Sequence, residues 1–557
     1  MTFWEHFLRL LPKRPFPALA ALYWYITRRR VRARNRLRAA SSDLPFTYLV
    51  WIDAEAKAAK LRDFGAEMDR WSRRPSFSIL LHGSSGHSPE QLDRSIRSIE
   101  SQIYLECDHV GPSISNSLSA EIAAANGEFI VPLRIGDTLA DTALFRFAEA
   151  LQSGKPRILY GDEDQLDRNG RRSRPWFKPR WNEEMFLAQD YLSSAVAIEA
   201  ALARKVTKDT QVGIDELLLA ATSLASDAVI HVPYILCHVA TQPKQEQDGR
   251  ILAVARHVEA LGATASQGPF GTSKVEWPLP RDVPLVSIIV PTKDKLALLR
   301  PCVESVLKQT DYKNFELLIV DNASIEKSTA DYLDEVAQDR RVRVLPYPYR
   351  YNFSAINNFA VREARGSFVC LLNNDTEVVE TRWLTELMRY AVKPQIGAVG
   401  AKLLYDDRTI QHAGVVVGIG EAAGHAHRHL PADEPGYFRM PHVAQFVTAV
   451  TAACLVVEKA KFEAVGGLDE EGLAVAFNDV DLCLKLQAAG WRNVYVPHAV
   501  LLHHESKSRG DDLSPLNIKR YQGELNTLQE RWGTKTYDDP LHNPNLDRYS
   551  ETFVFRL

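Results

Sequence analysis

The stretch PLVSIIVPTKDKLALLRPCVESVLKQTDYKNFELLIVDNAS, residues 284–324, decides the fold. Its two short apolar runs, VSIIV and ELLIV, bracket a segment with helical spacing of apolar residues, so it reads as strand, loop, helix, strand, the last strand stopping at Asp321. The first half of the chain repeats this order. In FSILLHGSSGHSPEQLDRSIRSIESQ, residues 77–102, Ser98 and Gln102 fall where Ser305 and Gln309 do. A second match, AANGEFIVPLRIGDTL (124–139) on EARGSFVCLLNNDTEV (363–378), needs no gap. Short β-rich runs alternating with helical stretches beyond residue 75 predict an α/β protein built from two related units.

The alignment separates the two copies chemically. Gly127 falls on Gly366, which puts Arg134 opposite Asn373 and Gly136 opposite Asp375. A hard divalent cation needs oxygen ligands, and a guanidinium repels it, so the first copy reads as chemically silent. Asp137, one place on, is the only acid there that could rescue it.

Composition narrows the class further. The 557 residues carry 67 Lys and Arg against 70 Asp and Glu, a formal charge of −3, which gives no basic field for nucleic acid. Six scattered cysteines without a CxxC pair suit reduced core thiols in a cytosolic protein. The N-terminus departs from this even charge: Arg28, Arg29, Arg30, Arg32, Arg34, Arg36 and Arg38 follow an aromatic, apolar stretch. The uncharged run from Pro15 to Thr27 is shorter than the roughly 20 residues a spanning helix needs and lacks a signal-peptide cleavage pattern. The segment is read either as an interfacial anchor on an anionic leaflet, or as a solvated basic arm or a helix docked on the body.

Residues 284–510 resemble the family 2 glycosyltransferases of GT-A fold, in particular the rhamnosyltransferase-like, O-antigen and polysaccharide members. PLVSIIVPTKDK, ELLIVDNAS, YNFSAINN, LLNNDTEV, VGAKLLYDDRTIQHAGVVVG, GGLDE, FNDVDLCLKLQAAGW and LHHESKSRG carry the resemblance, in the family's order. YGDEDQLDRNGRRSRPWFKPRWNEE (160–184) resembles the degenerate N-terminal GT-A unit that some of these proteins carry. The expected fold is therefore α/β with two tandem GT-A-like, Rossmann-related domains, the first degenerate. The expected organisation is a basic aromatic segment (1–40), a lead-in (41–75), the degenerate domain (76–245), a connector (246–283), the catalytic domain (284–510) and a C-terminal helix and tail (511–557).

The resemblance also assigns roles. A nucleotide seat belongs at the carboxyl ends of parallel strands; by resemblance Pro291, Thr292, Asp321, Asn322 and Ser324 flank the donor's base and ribose. LLNNDTEV matches the family's DXD position, with Asn373 in place of the first acid, Asn374 beside it, and Asp375 as the ligand of Mg²⁺ or Mn²⁺ on the donor diphosphate. Neighbours on a strand face opposite ways, so one residue of the HH pair reaches the same ion; by resemblance it is the first, His503, with Lys507 and Arg509 on the diphosphate. Asp479 matches the Asp of the family's ED motif and is the expected general base. Asn478 reads as the N-cap of the helix carrying it, with Asp481 reaching back in a capping-box role.

His425, His427 and His429 share one side if their segment is extended, reading as a loop over the cleft with Gln411 and His412 close by. Trp383 reads as helix packing. The expected function is inverting transfer of a sugar, rhamnose by resemblance, from a nucleoside diphosphate sugar to a hydroxyl of a glycan or polyprenyl-linked acceptor. The expected location is cytoplasmic, at the inner face of the membrane. A non-catalytic carbohydrate-binding scaffold is the alternative. A nucleotidyltransferase is disfavoured because VPTKDKLALL lacks the glycine- and lysine-rich loop such enzymes show.

Overall fold

The computed structural model describes residues 3–27, 33, 37, 40, 45–83, 87–113, 117–167, 169–208, 211–240, 247–504 and 517–556. The seven arginines of the N-terminal run, and Lys507 and Arg509, lie outside the described residues.

The parallel pair that opens the second unit forms as its sequence dictates. Val286–Thr292 pairs with Phe315–Asp321 on one side and Phe368–Leu372 on the other, all parallel, with Val342–Pro346 outermost. Phe368–Leu372 is buried at every position. That burial on both faces is why it reads as an unbroken apolar run. The sheet continues through Cys454–Glu458, antiparallel to both its neighbours, then through the mutually parallel Ile396–Leu404 and Arg492–His503, and ends on Thr376–Val378.

The first sheet has the same plan. Its order is Cys107–Ser113, Phe77–His82, Phe129–Arg134, Val196–Glu199, Ile158–Leu166, Val229–Ala240, Thr138–Leu139, with parallel and antiparallel neighbours in the same places. Register agrees as well: Phe129 pairs with Glu199 as Phe368 pairs with Glu458.

Two small contacts show why the repeated residues recur. The Gly127 N–H donates to Ser78 Oγ (2.8 Å) and the Gly366 N–H to Ser287 Oγ (2.9 Å). A Cβ on Gly366 would lie 2.6 Å from the Leu285 carbonyl oxygen, and one on Gly127 2.5 Å from the Ser78 nitrogen, so the close approach of chain to strand requires glycine in both copies. Likewise Ser98 Oγ accepts the Leu139 N–H and Ser305 Oγ the Val378 N–H, each at 3.1 Å. The helix hydroxyl thus fixes the short edge strand that follows the turn after the third strand.

The connector forms helix Gln247–Glu259 and a hairpin of Thr264–Gln267 with Ser273–Glu276. One continuous apolar core draws side chains from both units. Beyond helix Ile518–Trp532 the tail runs back to the first unit, where Asn543 Nδ2 donates to both oxygens of the buried Asp162 at 3.1 and 3.0 Å. Near the N-terminus, helices Phe3–Leu10 and Pro15–Ile26 pack Phe7, Leu10, Ala18 and Ala21 into a small core of their own and leave Trp4, Leu8, Phe16 and Ile26 exposed. Among the described residues no helix is long and apolar enough to cross a membrane. All six cysteines are free, and five are buried.

Candidate active site

The turn after Phe368–Leu372 carries Asn373, Asn374 and Asp375. Its shape is fixed by Thr376 Oγ1 donating to the Asn373 carbonyl (2.8 Å) and by the Cys302 thiol against both groups. Burial pushes that thiol up to about 12, so it acts as an inert packing group. His503 ends the strand that pairs antiparallel with Thr376–Val378; its partner in register is Thr376, which sets it beside Asp375. The His503 Nε2 lies 3.1 Å from Asp375 Oδ1 and 3.2 Å from Asn373 Nδ2. Both Asp375 and His503 are buried. His504 turns the other way, its Nδ1 meeting Asp406 and its Nε2 lying 3.6 Å from Glu377. The alternation of the strand therefore separates the two histidines as expected.

The strand-end residues form one connected group. Asn374 Nδ2 donates to Thr292 Oγ1 (3.1 Å), and the Asn322 N–H donates to the Thr292 carbonyl (2.8 Å). Asp321 Oδ1 accepts the Ser324 N–H (3.0 Å), and Ser324 Oγ accepts the Asp294 N–H (2.8 Å). Asn322 spends its Nδ2 on the carbonyls of Tyr347 and Tyr349, which leaves its buried Oδ1 without a partner among the described residues. Pro291 sits in register with Val320. Asp294 escaped the sequence reading. Its Oδ1 accepts the N–H groups of Ile325 and Glu326, both at 2.8 Å, clamping the loop after Asp321. Asp294, Lys295 and Ala323 all hold left-handed backbone, with φ of 52°, 56° and 56°. Such clustering of strained non-glycine residues is typical of ligand sites.

Asp479 is the second residue of helix Asn478–Ala488; its Oδ2 accepts the Ala452 N–H (3.0 Å) and its Oδ1 the Val480 N–H (2.8 Å). The next residue of that loop, Ala453, accepts the Asn373 N–H through its carbonyl (3.1 Å). Consecutive residues 452 and 453 thus tie Asp479 and the turn 373–375 to one loop; adjacent Cα atoms are about 3.8 Å apart.

Two expectations fail here. The helix start is capped not by Asn478 but by Phe477, in left-handed backbone (φ 61°) with no side-chain cap, and Asn478 instead donates to the Val475 carbonyl (3.0 Å). Asp481 does not reach back: its Oδ1 accepts from Arg531 (2.8 Å) and Trp532 Nε1 (2.9 Å), and its Oδ2 pairs with Lys485 (3.0 Å). An ion pair to a distant helix outcompetes the local cap.

The histidine segment also departs from expectation. His427 and His429 have left-handed backbone (φ 61° and 64°), so the segment is not extended and the three rings diverge. His427 stacks on Phe553, His429 on Tyr405, and His425 Nδ1 lies 3.0 Å from His412 Nδ1. Burial first, then His425 and His503, lowers the basicity of His412. Among the described residues no three His, Cys, Asp or Glu side chains form a metal cage. Trp383 is fully buried, with Nε1 donating to Thr310 Oγ1 (3.0 Å), which is the packing role expected of it.

The residues fit a divalent cation held by two protein groups. Two cis ligands of an octahedral ion at 2.0–2.1 Å lie about 2.9–3.0 Å apart, close to the 3.1 Å between His503 Nε2 and Asp375 Oδ1. The turn 373–375, Thr292 and Asp321 all stand at the carboxyl ends of parallel strands, which is where an α/β sheet of this class binds nucleotides.

Comparison with known proteins gives the same class. Residues 287–415 match the family described as Glycosyl transferase family 2, and the chain carries a family 2 glycosyltransferase domain. It is 39% identical over 463 residues to the uncharacterized protein y4gI of Sinorhizobium fredii, covering 79% of this chain and 51% of that one. It is 34% identical over 570 residues to the O-antigen biosynthesis protein RfbC of Myxococcus xanthus, covering 97% of this chain and 43% of that one. Over 63 residues it is 44% identical to an N-acetylglucosaminyl-diphospho-decaprenol L-rhamnosyltransferase of Mycobacterium tuberculosis, covering 11% of this chain and 20% of that one. The chain spans about half the length of the first two relatives.

Proposed function

We propose that the second unit transfers a sugar from a nucleoside diphosphate sugar to a hydroxyl of a growing surface polysaccharide or lipid-linked glycan, with inversion by single displacement. The observation that carries this reading is the pairing of Asp375 and His503 on one side and Asp479 on the other through adjacent residues of one loop. Mg²⁺ or Mn²⁺ bound at Asp375 and His503 would offset negative charge on the departing diphosphate. Thr292, Asp321, Asn322, Ser324 and Asn374 seat the nucleotide, the buried Asn322 Oδ1 being an acceptor without a partner among the described residues. Asp479 takes the acceptor's proton as its oxygen attacks the anomeric carbon. Lys507 and Arg509 belong to the same proposal as diphosphate contacts.

Rhamnose as donor and a polyprenyl-linked acceptor are supported by the similarity to the mycobacterial rhamnosyltransferase. Attachment to the inner membrane face is supported by the arginine run and by the exposed aromatic and aliphatic side chains of the two N-terminal helices.

The first unit is proposed to be a non-catalytic partner of this domain. Arg134, at the position of Asn373, pairs with the buried Asp137 (3.0 Å), whose Oδ1 also accepts the Ala240 N–H (2.8 Å), so that acid is not available to a cation. Asp215, second residue of helix Ile214–Leu224 as Asp479 is of its helix, is held by Arg250 at 2.7 Å. Internal guanidinium groups thus stand in both places where the second unit offers ligands or a base. The test is release of nucleoside diphosphate from a panel of nucleotide sugars with Mn²⁺, comparing wild type with Asp479→Asn, and mass spectrometry of the glycan product. Release by wild type alone supports the enzyme; no release with any donor favours a carbohydrate-binding scaffold.

A further inference from the structure

His503 does not stand alone in the cation seat. Its Nδ1 lies 2.6 Å from Gln411 Oε1, both side chains being buried. Gln411 comes from strand Ile410–His412, whose flanking residues pair with Leu403 and Leu404 of the central sheet, so its position is set by backbone rather than by a mobile loop. An amide oxygen only accepts, so the proton at this contact resides on Nδ1. An imidazole that ligates a metal is neutral and has one N–H, so its lone pair is then on Nε2, the atom that faces Asp375 Oδ1 (3.1 Å) and the donor Nδ2 of Asn373 (3.2 Å). A lone pair and a carboxylate oxygen this close repel one another unless positive charge lies between them.

We propose that Gln411 is a positioning residue that holds His503 in the Nδ1–H tautomer and so presents Nε2, with Asp375, to the divalent cation. Outer hydrogen bonds of this kind orient imidazole ligands and raise their basicity, and losing one weakens metal binding about 10- to 100-fold. The inference rests on the cation seat of the proposed function, and deepens it by naming a residue that touches neither donor nor ion. It also explains why an amide is found on this strand beside the cleft: a lysine would force the opposite tautomer, and an apolar residue would leave the ring unheld.

The test is a Mn²⁺ titration followed by electron paramagnetic resonance on the full chain, with Mn²⁺ alone and with Mn²⁺ plus inorganic diphosphate. Gln411→Met removes the acceptor at similar volume; Gln411→Glu keeps an acceptor and removes the amide donor. Thermal melts run in parallel identify a variant that has failed to fold. The expected result is a 10- to 100-fold weaker affinity for Gln411→Met, affinity at or above wild type for Gln411→Glu, and no further loss when Gln411→Met is added to His503→Ala. Equal affinity of Gln411→Met and wild type overturns the inference while leaving the cation seat standing. So does a Gln411→Glu affinity as weak as that of Gln411→Met, because the amide would then act as donor. Absence of Mn²⁺ binding by wild type in both arms overturns the seat itself.

Discussion

The loop that delivers Asp479 is held from outside by the C-terminal helix, and loosening that hold has a computable effect. Glu524, buried in helix Ile518–Trp532, accepts the Val475 N–H at Oε1 (2.9 Å) and the Ala476 N–H at Oε2 (3.1 Å), while Arg520 pairs with Oε2 at 2.5 Å. Glu524→Gln keeps the shape but leaves one oxygen, so one amide N–H meets an NH₂ group instead of an acceptor. A charge-assisted hydrogen bond contributes about 1.5–3 kcal/mol, and at about 1.4 kcal/mol per decade local opening of residues 475–476 should rise about 10- to 150-fold. The assay is hydrogen exchange by mass spectrometry on peptides spanning 470–480, with the strand Val286–Thr292 as internal control. Faster exchange confined to the loop is expected, together with a fall in transfer rate, since Asp479 lies three residues beyond Ala476. Unchanged protection at 475–476, or an equal rise in the control strand, would refute the claim that this helix locally clamps the base loop.

Asp479→Asn should lower transfer by about 10²–10⁴ while Mn²⁺ affinity stays at the wild-type value, and Asp215→Asn in the first unit should leave turnover unchanged; parallel kinetics of the two variants assign catalysis to one copy. Asp375→Asn should weaken Mn²⁺ binding by at least about tenfold, read by the same titration, because it removes the only carboxylate placed at the seat among the described residues. Stability should fall on acidification below pH 6.5: burial holds His82 and His542 at about 4 and His427 and His498 at about 3, and lowers His412 as well, so near pH 5 the unfolded chain binds protons at these histidines that the native one does not. Asp539, raised by burial to about 6, opposes this between its ordinary 3.8 and 6. The histidines outnumber it, and a urea midpoint unchanged between pH 7 and pH 5 would contradict the expectation.

The repeat was legible because each copy must meet the same backbone demands. Gly127 and Gly366, and Ser98 and Ser305, recur at fixed offsets for reasons of close approach and hydrogen bonding that any sequence on this frame must satisfy. The turn 373–375 and His503 were picked out by resemblance to family motifs, and strand alternation accounts for the two histidines facing opposite ways. The helix start at 478 misled because its cap lies in the left-handed Phe477, and Asp481 is claimed by residues 50 and 51 positions away. Nothing in local spacing reports such a partner. The histidine segment misled in the same way: positive φ at two non-glycine positions breaks the alternation that an extended reading assumes. The return of the tail to Asp162 was invisible because residues 533–557 carry neither period.

The two copies isolate what converts this frame into a catalyst. Apart from the outermost Val342–Pro346 of the second sheet, strand order and direction are shared, as are the register and the glycine and serine contacts. What differs is the sign of charge at two places. At the turn after the third strand one copy offers Asn373 and Asp375, the other a guanidinium already paired with Asp137. At the start of the facing helix both keep an acid in second position, but only in the first is it met by an arginine, Arg250. That guanidinium occupies one oxygen of Asp215 at 2.7 Å and places a fixed positive charge where a sugar acceptor would have to approach. Removing Arg250 alone would leave Asp215 exposed to desolvation without giving the first unit a cation seat. On the proposal that the first unit is non-catalytic, giving it the chemistry proposed for its neighbour requires changing both places together.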